Sequence, residues 1–457
     1  MTTSTHPRAC VIGAGSSGIA IAKTLHRKGI PFDCFELSDR VGGNWVFGNK
    51  NDVSSSYRTL HINTSRERMQ YSDFPMPRTY PDFPRHDQIA AYFDSYVDHF
   101  GFRDKIRFET GVDHVSRRAD GVFEVRIATG EKLEYDSVIV CNGHHWDARM
   151  PEPSFPGADS FRGDQIHSHD YKDESQLAGK DVVVLGMGNS AMDIAVDASY
   201  HANSTYLAAR RGAHIVPKYV FGKPIDQIGG AEWVPMWVRR PIMASILKLA
   251  NGDLPAYGLQ EPDHRFGEAH PTVSGRILDR LAHGAVTPKP NIERLEGDRV
   301  HFTDGTSVHA DLVVYCTGYK ITFPFFDEDF VSARDNELRL YMRMFHPTVP
   351  GLFFGGLIQP LGAIMPIAER QADLFAAALL GGYALPSLAR MEREIDRTRE
   401  AMRKRYVASK RHTIQVDYDD YMKQLRKELE AGAERAAAKG SPPVVKPLAQ
   451  ASMRAAA

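Results

Sequence analysis

Residues 9–36 read ACVIGAGSSGIAIAKTLHRKGIPFDCFE, and this stretch decides the fold of the chain. A short apolar run at its start predicts a strand, and apolar residues at helical spacing after Gly18 predict a helix. Between them stands the pattern G-x-G-x-x-G at Gly13, Gly15 and Gly18. These glycines allow a tight turn, close approach of the backbone to a pyrophosphate, and close packing of helix on strand. The stretch therefore predicts a dinucleotide-binding unit.

The end of the second predicted strand, residues 32–35, carries an acid. Glu36 stands 18 residues beyond Gly18, where a carboxylate can accept hydrogen bonds from an adenosine ribose. The predicted helix N-terminus offers unpaired N–H groups and a partial positive charge to the phosphates. A lone glycine pattern can also be an ordinary turn. The flanking strand, helix and acid favour the dinucleotide site.

The loop after Glu36 carries a second signal. Gly43, Asn44 and Trp45 place an amide and a large aromatic side chain directly after adjacent glycines. Such a loop suits a flat ring system, although a turn with a core tryptophan is the plainer alternative. Flavin enzymes with two dinucleotide sites have a loop of this kind directly after the ribose acid. We therefore expect it to lie on the flavin side.

The composition of the 457-residue chain excludes several classes of protein. Its net charge of -1 does not indicate a nucleic-acid or membrane partner. The four cysteines are widely spaced and form no C-x-x-C pair, which predicts reduced core thiols, and no metal site is expected. No apolar run approaches the ~20 residues of a membrane span, and the N-terminus lacks a signal region. We expect a soluble, cytoplasmic enzyme with a small-molecule substrate. A homodimer is left open.

A second glycine turn occurs in residues 181–197, DVVVLGMGNSAMDIAVD. Strand, turn and helix follow one another as in the first unit, and Ala191 takes the third glycine position, a permitted variant. The next predicted strand ends in Arg210 and Arg211 rather than in an acid. Two guanidinium groups at this place favour the 2′-phosphate of NADPH, although a solvated basic turn is the alternative.

Two nucleotide sites in one chain imply hydride transfer from nicotinamide to flavin. A disulfide reductase would place paired cysteines beside the flavin ring, and this chain has none at a usable spacing. The electrons then pass to oxygen or to another carrier.

The chain resembles the flavin-containing monooxygenases from about residue 8 to residue 430. The related Baeyer–Villiger group usually carries Trp at the last position of the motif FxGxxxHxxxY, where this chain has Tyr171. We interpret His167 of that motif as orienting two domains rather than transferring protons. The motifs that carry the resemblance are GAGSSG at 13–18, NTSR at 63–66, FxGxxxHxxxY at 161–171, GxGxSAxDIA at 186–195 and CTGY at 316–319.

The resemblance implies an NADPH- and O₂-dependent monooxygenase. In this family NADPH reduces FAD, O₂ adds to form a flavin hydroperoxide, and one oxygen atom passes to an amine nitrogen or a sulfide sulfur. Asn63 matches the family asparagine beside the flavin, and its neutral amide can both donate and accept hydrogen bonds. The cofactor-binding residues implied for FAD and NADPH are Gly13, Gly15, Ser17, Gly18, Glu36, Gly43, Asn44, Trp45, Thr64, Gly186, Gly188, Asn189, Ser190, Ala191, Arg210, Arg211, Thr317, Gly318 and Gln359.

The predicted fold class is α/β, with two nested Rossmann-like dinucleotide-binding domains and a helical C-terminal segment. Residues 213–290 are expected to shape the substrate pocket, but their aperiodic sequence specifies no substrate. The expected boundaries are 1–155 for the first part of the FAD domain, 156–310 for the NADPH domain with an insertion at about 213–290, 311–385 for the second part of the FAD domain, 386–432 for C-terminal helices and 433–457 for a disordered tail.

Three alternatives to oxygen transfer onto nitrogen or sulfur stay open at this point. The first is a Baeyer–Villiger monooxygenase acting on ketones. The second is an NADPH oxidase that releases H₂O₂. The third is a flavin-bound regulatory protein without turnover, against which Asn63 and the two phosphate turns argue.

Overall fold

Two parallel sheets organise the chain in the computed structural model, which describes residues 6–228, 236–406, 412–438 and 444–445. Each sheet contains the strand that leads into one of the two glycine turns. The predicted α/β fold with two nested dinucleotide-binding domains is therefore confirmed. Of the helices in the described ranges, none has the length and hydropathy that crossing a bilayer requires.

The first sheet has buried, apolar central strands, as a parallel sheet covered on both faces requires. Two helices pack against each other on one face, and a three-stranded antiparallel sheet covers the other. In spatial order the parallel strands are Leu352–Phe354, Ser137–Val140, Ala9–Ile12, Phe32–Phe35 and Ile106–Arg107. The covering elements are the helices Ser16–Arg27 and Met365–Leu379 and the strands Val112–Arg117, Phe123–Ile127 and Lys132–Tyr135, and the same domain contains helices Arg66–Met69 and His86–Phe100.

The second sheet repeats this plan around the second glycine turn. Helix Asn189–His201 covers one face, and a second antiparallel sheet packs on the other. In spatial order the parallel strands are Thr287–Lys289, Ser204–Ala208, Asp181–Leu185, Leu312–Tyr315 and Asp164–His167. The antiparallel strands are Ile292–Glu296, Arg299–Phe302 and Ser307–His309.

The expected domain boundary at residue 310 is wrong. Strand Leu312–Tyr315 was expected to open the second part of the FAD domain, but it pairs with the central strand of the second sheet, Val182 opposite Leu312. A buried apolar strand carries no local mark of the sheet that it joins, because the pairing is long-range. The crossing lies just beyond it, where Tyr319–Lys320 pairs with Asp147–Ala148.

The insertion is shorter than the expected 213–290. Strand Thr287–Lys289 already belongs to the second sheet, where Thr287 pairs with Tyr206, and helix Ile277–Ala282 packs on helix Asn189–His201. Pro288 made a strand difficult to predict here, because proline is unfavourable within a sheet. It is tolerated because this strand lies at the sheet edge.

The insertion contains two pairs of short strands and one long helix. Ile215–Val216 pairs with Thr272–Val273, and Tyr219–Val220 pairs with Lys223–Pro224 in what we call the insertion hairpin, residues 219–224. Helix Met236–Asn251 follows. Trp233 lies outside the described residues.

The predicted helical C-terminal segment is confirmed, with helices Leu388–Arg405 and Tyr418–Ala437. Strand Gln415–Asp417 between them pairs with Gln359–Leu361 of the first domain. The expectation of disorder from residue 433 is wrong for 433–437, which continue the helix. A tertiary contact holds this stretch, since Arg435 Nε donates to the Ala384 carbonyl over 2.8 Å. The remainder of the expected tail, apart from residues 438 and 444–445, lies outside the described residues.

Candidate functional site

A cavity of about 840 Å³ opens at the carboxyl edge of the first sheet. Ligands bind at this edge in open α/β sheets, and the volume falls in the upper part of the ~300–1,000 Å³ range of ligand pockets. The first glycine turn, the loops after the neighbouring strands, the insertion and the C-terminal segment all contribute to its wall.

The first glycine turn is packed as the pattern requires. Gly13 has a φ of +100°, and a Cβ placed there would lie 2.6 Å from the Cys141 carbonyl oxygen. A Cβ on Gly18 would lie 1.9 Å from the Gly13 oxygen, so the helix can approach the strand only without a side chain. Gly15 lines the cavity and faces Gly43, with 3.7 Å between a built Cβ and the Gly43 Cα. The turn thus offers bare backbone to a ligand.

Glu36 lies in the cavity wall at the end of its strand, as predicted. Its Oε2 accepts the Ala14 N–H over 2.6 Å, and its Oε1 accepts the Ser38 N–H over 2.8 Å. Burial raises the pKa of Glu36, and these backbone N–H groups act in the opposite direction. The carboxylate is therefore fixed beside the glycine turn, where a ribose would follow the pyrophosphate.

Gly43, Asn44 and Trp45 form a short 3₁₀ turn on the same wall. The Asn44 side-chain oxygen accepts both the N–H and the hydroxyl of Ser55, each over 2.8 Å. This carboxamide therefore holds the loop together, and its NH₂ group is the part left to face a ligand. Three other predicted residues also line the cavity, namely Ser17, Thr64 and Gln359.

The second glycine turn reaches the same cavity through Asn189, whereas Gly186, Gly188, Ser190 and Ala191 are not among the described residues of its wall. Gly186 has a φ of +146°, and a Cβ there would lie 2.8 Å from the Cys316 carbonyl oxygen. Asn189, at the start of the following helix, lines the cavity while its Oδ1 accepts the Val273 N–H over 2.8 Å. Gly188 precedes this helix, and Ser190 and Ala191 lie in its first turn. A nucleotide on this turn would reach toward a ligand on the first one.

Arg210 and Arg211 are not equivalent, a difference that two adjacent arginines do not predict. Arg211 lines a second cavity of about 230 Å³ beside the second glycine turn, and its Nε lies 3.6 Å from Asp263 Oδ2. Arg210 is exposed and does not contribute to this wall in the described part of the chain. Lys289 of the neighbouring strand lines it too, and sequence reasoning missed this cation because strand pairing brings it there.

Asn63 lies in the wall of the large cavity, in a loop of the FAD domain. The insertion contributes to the same wall, with mainly apolar side chains together with Asp226 and His270. The apolar ones are Val216, Ile225, Met243, Phe266, Pro271 and Val273. The expectation that the insertion shapes the pocket agrees with this arrangement.

His167 and Tyr171 lie at the contact between the two domains rather than among the described residues of the cavity wall. The His167 ring packs edge-on against Tyr319 with 5.2 Å between centroids, and burial lowers the pKa of His167 to about 4. The Tyr171 hydroxyl donates to Asp197 over 2.9 Å. A buried, neutral imidazole in a ring cluster suits the predicted orienting role.

Thr317 and Gly318 are not brought into either cavity wall as the structure describes them. The Thr317 hydroxyl donates to the Arg149 carbonyl, and the Gly318 carbonyl accepts the Arg149 N–H over 3.0 Å. They follow the strand that belongs to the second sheet, so their bonds hold the crossing between the sheets.

The C-terminal segment also reaches the large cavity, which sequence reasoning missed. Arg405, Asp417, Tyr418 and Asp419 line it beside the Gln359 loop. Asp417 is buried and forms an ion pair with Arg405. The sequence signal was weak, because the neighbouring helical stripes indicate packing.

The chain is similar in sequence and in structure to known monooxygenases. The flavin-binding monooxygenase-like family model matches residues 6–436. Flavin-containing monooxygenase 5 of Oryctolagus cuniculus is 39% identical over 437 residues, covering 92% of this chain and 82% of that protein. Dimethylaniline monooxygenase (N-oxide-forming) 2 of the same organism is 33% identical over 453 residues, covering 93% and 83%. The structure of S-allyl-L-cysteine S-oxygenase from Allium sativum aligns with a TM-score of 0.70 at 25% identity, covering 93% of this chain and 88% of that chain.

Proposed function

The chain belongs to the flavin-binding monooxygenase-like family, and on that premise we propose that it transfers one oxygen atom of O₂ to an amine nitrogen or a sulfide sulfur of a small molecule. It is a flavoprotein monooxygenase that uses FAD and NADPH. Bound FAD, once reduced by NADPH, supplies the oxygen chemistry. The part of the protein is to bind, orient and keep water out.

The residues present fit FAD in the large cavity. Gly13, Gly15 and Gly18 form a turn in which a Cβ at Gly13 or Gly18 would collide with the backbone, and Glu36 is fixed beside it. We assign the pyrophosphate to this turn and the ribose to Glu36. The assignment extends to the other predicted residues of this wall, Ser17, Gly43, Asn44, Trp45, Thr64 and Gln359.

NADPH is assigned to the second glycine turn. Gly186, Gly188, Asn189, Ser190 and Ala191 would hold its pyrophosphate at the helix N-terminus. Arg211 beside the smaller cavity would meet the 2′-phosphate, with Arg210 contributing charge from the surface.

One observation carries the proposal, which is that Asn63 lines a single cavity together with Gly13 and Gly15 of the first glycine turn and Asn189 of the second. Its neutral amide can donate and accept hydrogen bonds where flavin and nicotinamide would meet, without adding a charge there. Such a site needs no catalytic proton from the protein and waits for a nucleophile.

The substrate class is supported by the cavity wall and by two relatives. The insertion presents mainly apolar side chains, which favours neutral, soft nucleophiles over strongly charged ones. One relative is named for forming an N-oxide and one for S-oxygenation. A reducing compartment such as the cytoplasm suits the four cysteines, all of them unpaired.

The test is product analysis with the purified FAD-loaded protein, NADPH and isotopically labelled O₂. A tertiary amine, a thioether and a cyclic ketone are offered separately, and H₂O₂ is measured in parallel. We expect N-oxide and sulfoxide, each with one labelled oxygen per NADPH consumed. A labelled ester or lactone as the main product would establish the Baeyer–Villiger alternative instead. NADPH consumption matched by H₂O₂, without oxygenated product, would establish an oxidase.

A further inference from the structure

The segment that carries Asn63 is anchored to the other domain before the loop begins. The Tyr57 hydroxyl donates to Asp193 over 2.6 Å, and the Thr59 hydroxyl donates to Asp197 over 2.6 Å. Both carboxylates lie on the helix that follows the second glycine turn. The segment is therefore attached to the NADPH domain by hydrogen bonds, although its place in the chain assigns it to the FAD domain.

The loop itself is held by residues around the insertion hairpin. The Ser65 N–H donates to Asp226 Oδ2 over 2.6 Å, and Gln227 Nε2 donates to the Ser65 hydroxyl oxygen over 3.1 Å. Lys218 Nζ donates to the Ile62 carbonyl over 3.1 Å. These contacts bracket Asn63 on both sides.

In the described part of the FAD domain, backbone hydrogen bonds hold the loop at its two ends. The Ile62 N–H donates to the Pro84 carbonyl over 3.0 Å, and the Arg66 N–H donates to the Asp82 carbonyl over 2.7 Å. Between these anchors Ser65 is completely buried, so its N–H needs an acceptor inside the protein. Asp226, from the other domain, supplies it.

The Asp226 carboxylate accepts the Ser65 N–H through one of its two oxygens. It lines the large cavity, and its Oδ1 is buried without a hydrogen-bond partner among the described residues. A hydrogen bond from a backbone N–H to an ionised carboxylate is shorter and stronger than a neutral one. The bond to Ser65 therefore fixes the side chain and the loop together.

We propose that Asp226 is a positioning residue that holds the Asn63 amide at the cavity from the side of the NADPH domain. The proposal rests on the function proposed above for Asn63. It makes the placement of Asn63 depend on the insertion, so that the loop is in place only when the two domains are docked.

The first test measures the loop directly, by amide hydrogen exchange of residues 60–66 in the FAD-loaded protein. Asp226→Ala should speed exchange by roughly tenfold or more, because the buried Ser65 N–H loses its acceptor. Asp226→Asn should stay close to the unmodified protein, since its side-chain oxygen still accepts. Asp253→Ala is the matched control, an exposed aspartate of the same insertion. Unchanged exchange in the alanine variant would overturn the proposal. Should that variant fail to fold, Asp226→Glu replaces it, because the added methylene displaces the acceptor.

The second test measures how NADPH electrons are divided between oxygenated product and H₂O₂. Asp226→Ala should lower the product fraction roughly tenfold at an unchanged rate of flavin reduction, and Asp226→Asn should restore it. Adding Asp226→Ala to Asn63→Ala should cause no further loss. Additive losses would contradict a role that acts through Asn63. If the unmodified protein yields no oxygenated product, the proposed function fails, while the exchange result still decides the role of Asp226.

Discussion

The Tyr57 hydroxyl donates a hydrogen bond to Asp193 Oδ2 over 2.6 Å and thereby joins the two dinucleotide-binding domains. Tyr57 precedes the Asn63 loop, and Asp193 lies on the helix that follows the second glycine turn. The bond is partly buried, and it places an ionisable group between two elements that belong to different domains.

This contact makes stability depend on pH. Burial raises the pKa of Asp193 to about 6, although the Tyr57 bond and Lys218 oppose the rise. An unfolded aspartate titrates near ~3.9, so the folded protein binds this proton more tightly and the free energy of unfolding falls as pH rises between those values. The expected loss is up to ~3 kcal/mol, at about 1.4 kcal/mol per pKa unit.

Asp193→Asn removes that titration while keeping an acceptor for Tyr57. Its melting temperature relative to the unmodified protein should therefore increase between pH 4.5 and pH 7, as followed by thermal unfolding of the FAD-loaded protein. Asp253→Asn, at an exposed site, is the control. A difference that does not change with pH would contradict the buried titration of Asp193.

A second prediction concerns the first glycine turn. Gly18→Ala would place a Cβ 1.9 Å from the Gly13 carbonyl oxygen, which pushes the helix off the strand and distorts the turn. We expect at least roughly tenfold less bound FAD, measured from the ratio of flavin to protein absorbance. Gly275→Ala is the matched control, because a Cβ there meets nothing within 4 Å and φ is not left-handed. Full FAD content in the Gly18 variant would contradict the assignment of FAD to the first glycine turn.

The two arginines should contribute unequally to the choice of nucleotide. Arg211 lines the smaller cavity and Arg210 does not, so Arg211→Ala should raise the NADPH KM roughly tenfold or more and leave the NADH KM nearly unchanged. Arg210→Ala should have a smaller effect in the same direction. Arg334→Ala, on an exposed arginine of the other domain, controls for lost positive charge. Equal changes for both nucleotides would remove the 2′-phosphate assignment.

Asn63→Ala should separate reduction from oxygen transfer. FAD content and the rate of flavin reduction by NADPH should stay close to normal, because the glycine turns are untouched. Oxygenated product should fall by roughly a hundredfold, with H₂O₂ in its place. His61→Ala, two residues away with its ring bonded to the Phe83 carbonyl, is the control. Product yield as in the unmodified protein would remove Asn63 from the mechanism.

Local sequence patterns predicted the parts of the site whose partners are close in the chain. Gly13 and Gly18 meet within one strand–turn–helix unit, and Glu36 closes the next strand, so a short window contains their whole geometry. The positions of Asp226 and Arg405 could not be predicted in this way. They reach the cavity from the insertion and from the C-terminal segment, through tertiary contacts that leave no spacing in the sequence.

The same reasoning explains the wrong domain boundary. Strand Leu312–Tyr315 reads as any buried parallel strand, and only its register against Val182 assigns it to the second sheet. Likewise Arg210 and Arg211 are adjacent letters, but the strand ends at Ala208 and the following turn leaves one exposed and one at a cavity.

The ion pair of Arg405 and Asp417 lines the large cavity on its C-terminal side. Asp417 is 3% exposed and Arg405 is 28% exposed, so removing the guanidinium takes one cation away from a buried carboxylate. Arg405→Leu should therefore lower the free energy of unfolding by about 2–3 kcal/mol, the lower end for a buried pair because Arg405 keeps some contact with water. Combining Arg405→Leu with Asp417→Asn should recover most of that loss, since the charge that needed the partner is gone.

Urea unfolding of the two variants, with and without FAD, measures both effects. Lys404 is next to Arg405 in the chain and forms an exposed ion pair with Glu400. Lys404→Leu breaks that pair, should change stability little and serves as the control. If the double variant is as unstable as the sum of its single changes, the two side chains do not act as a pair. If the double variant recovers its stability, the fold does not need these two charges. The charge of Arg405 would then act at the cavity that it lines.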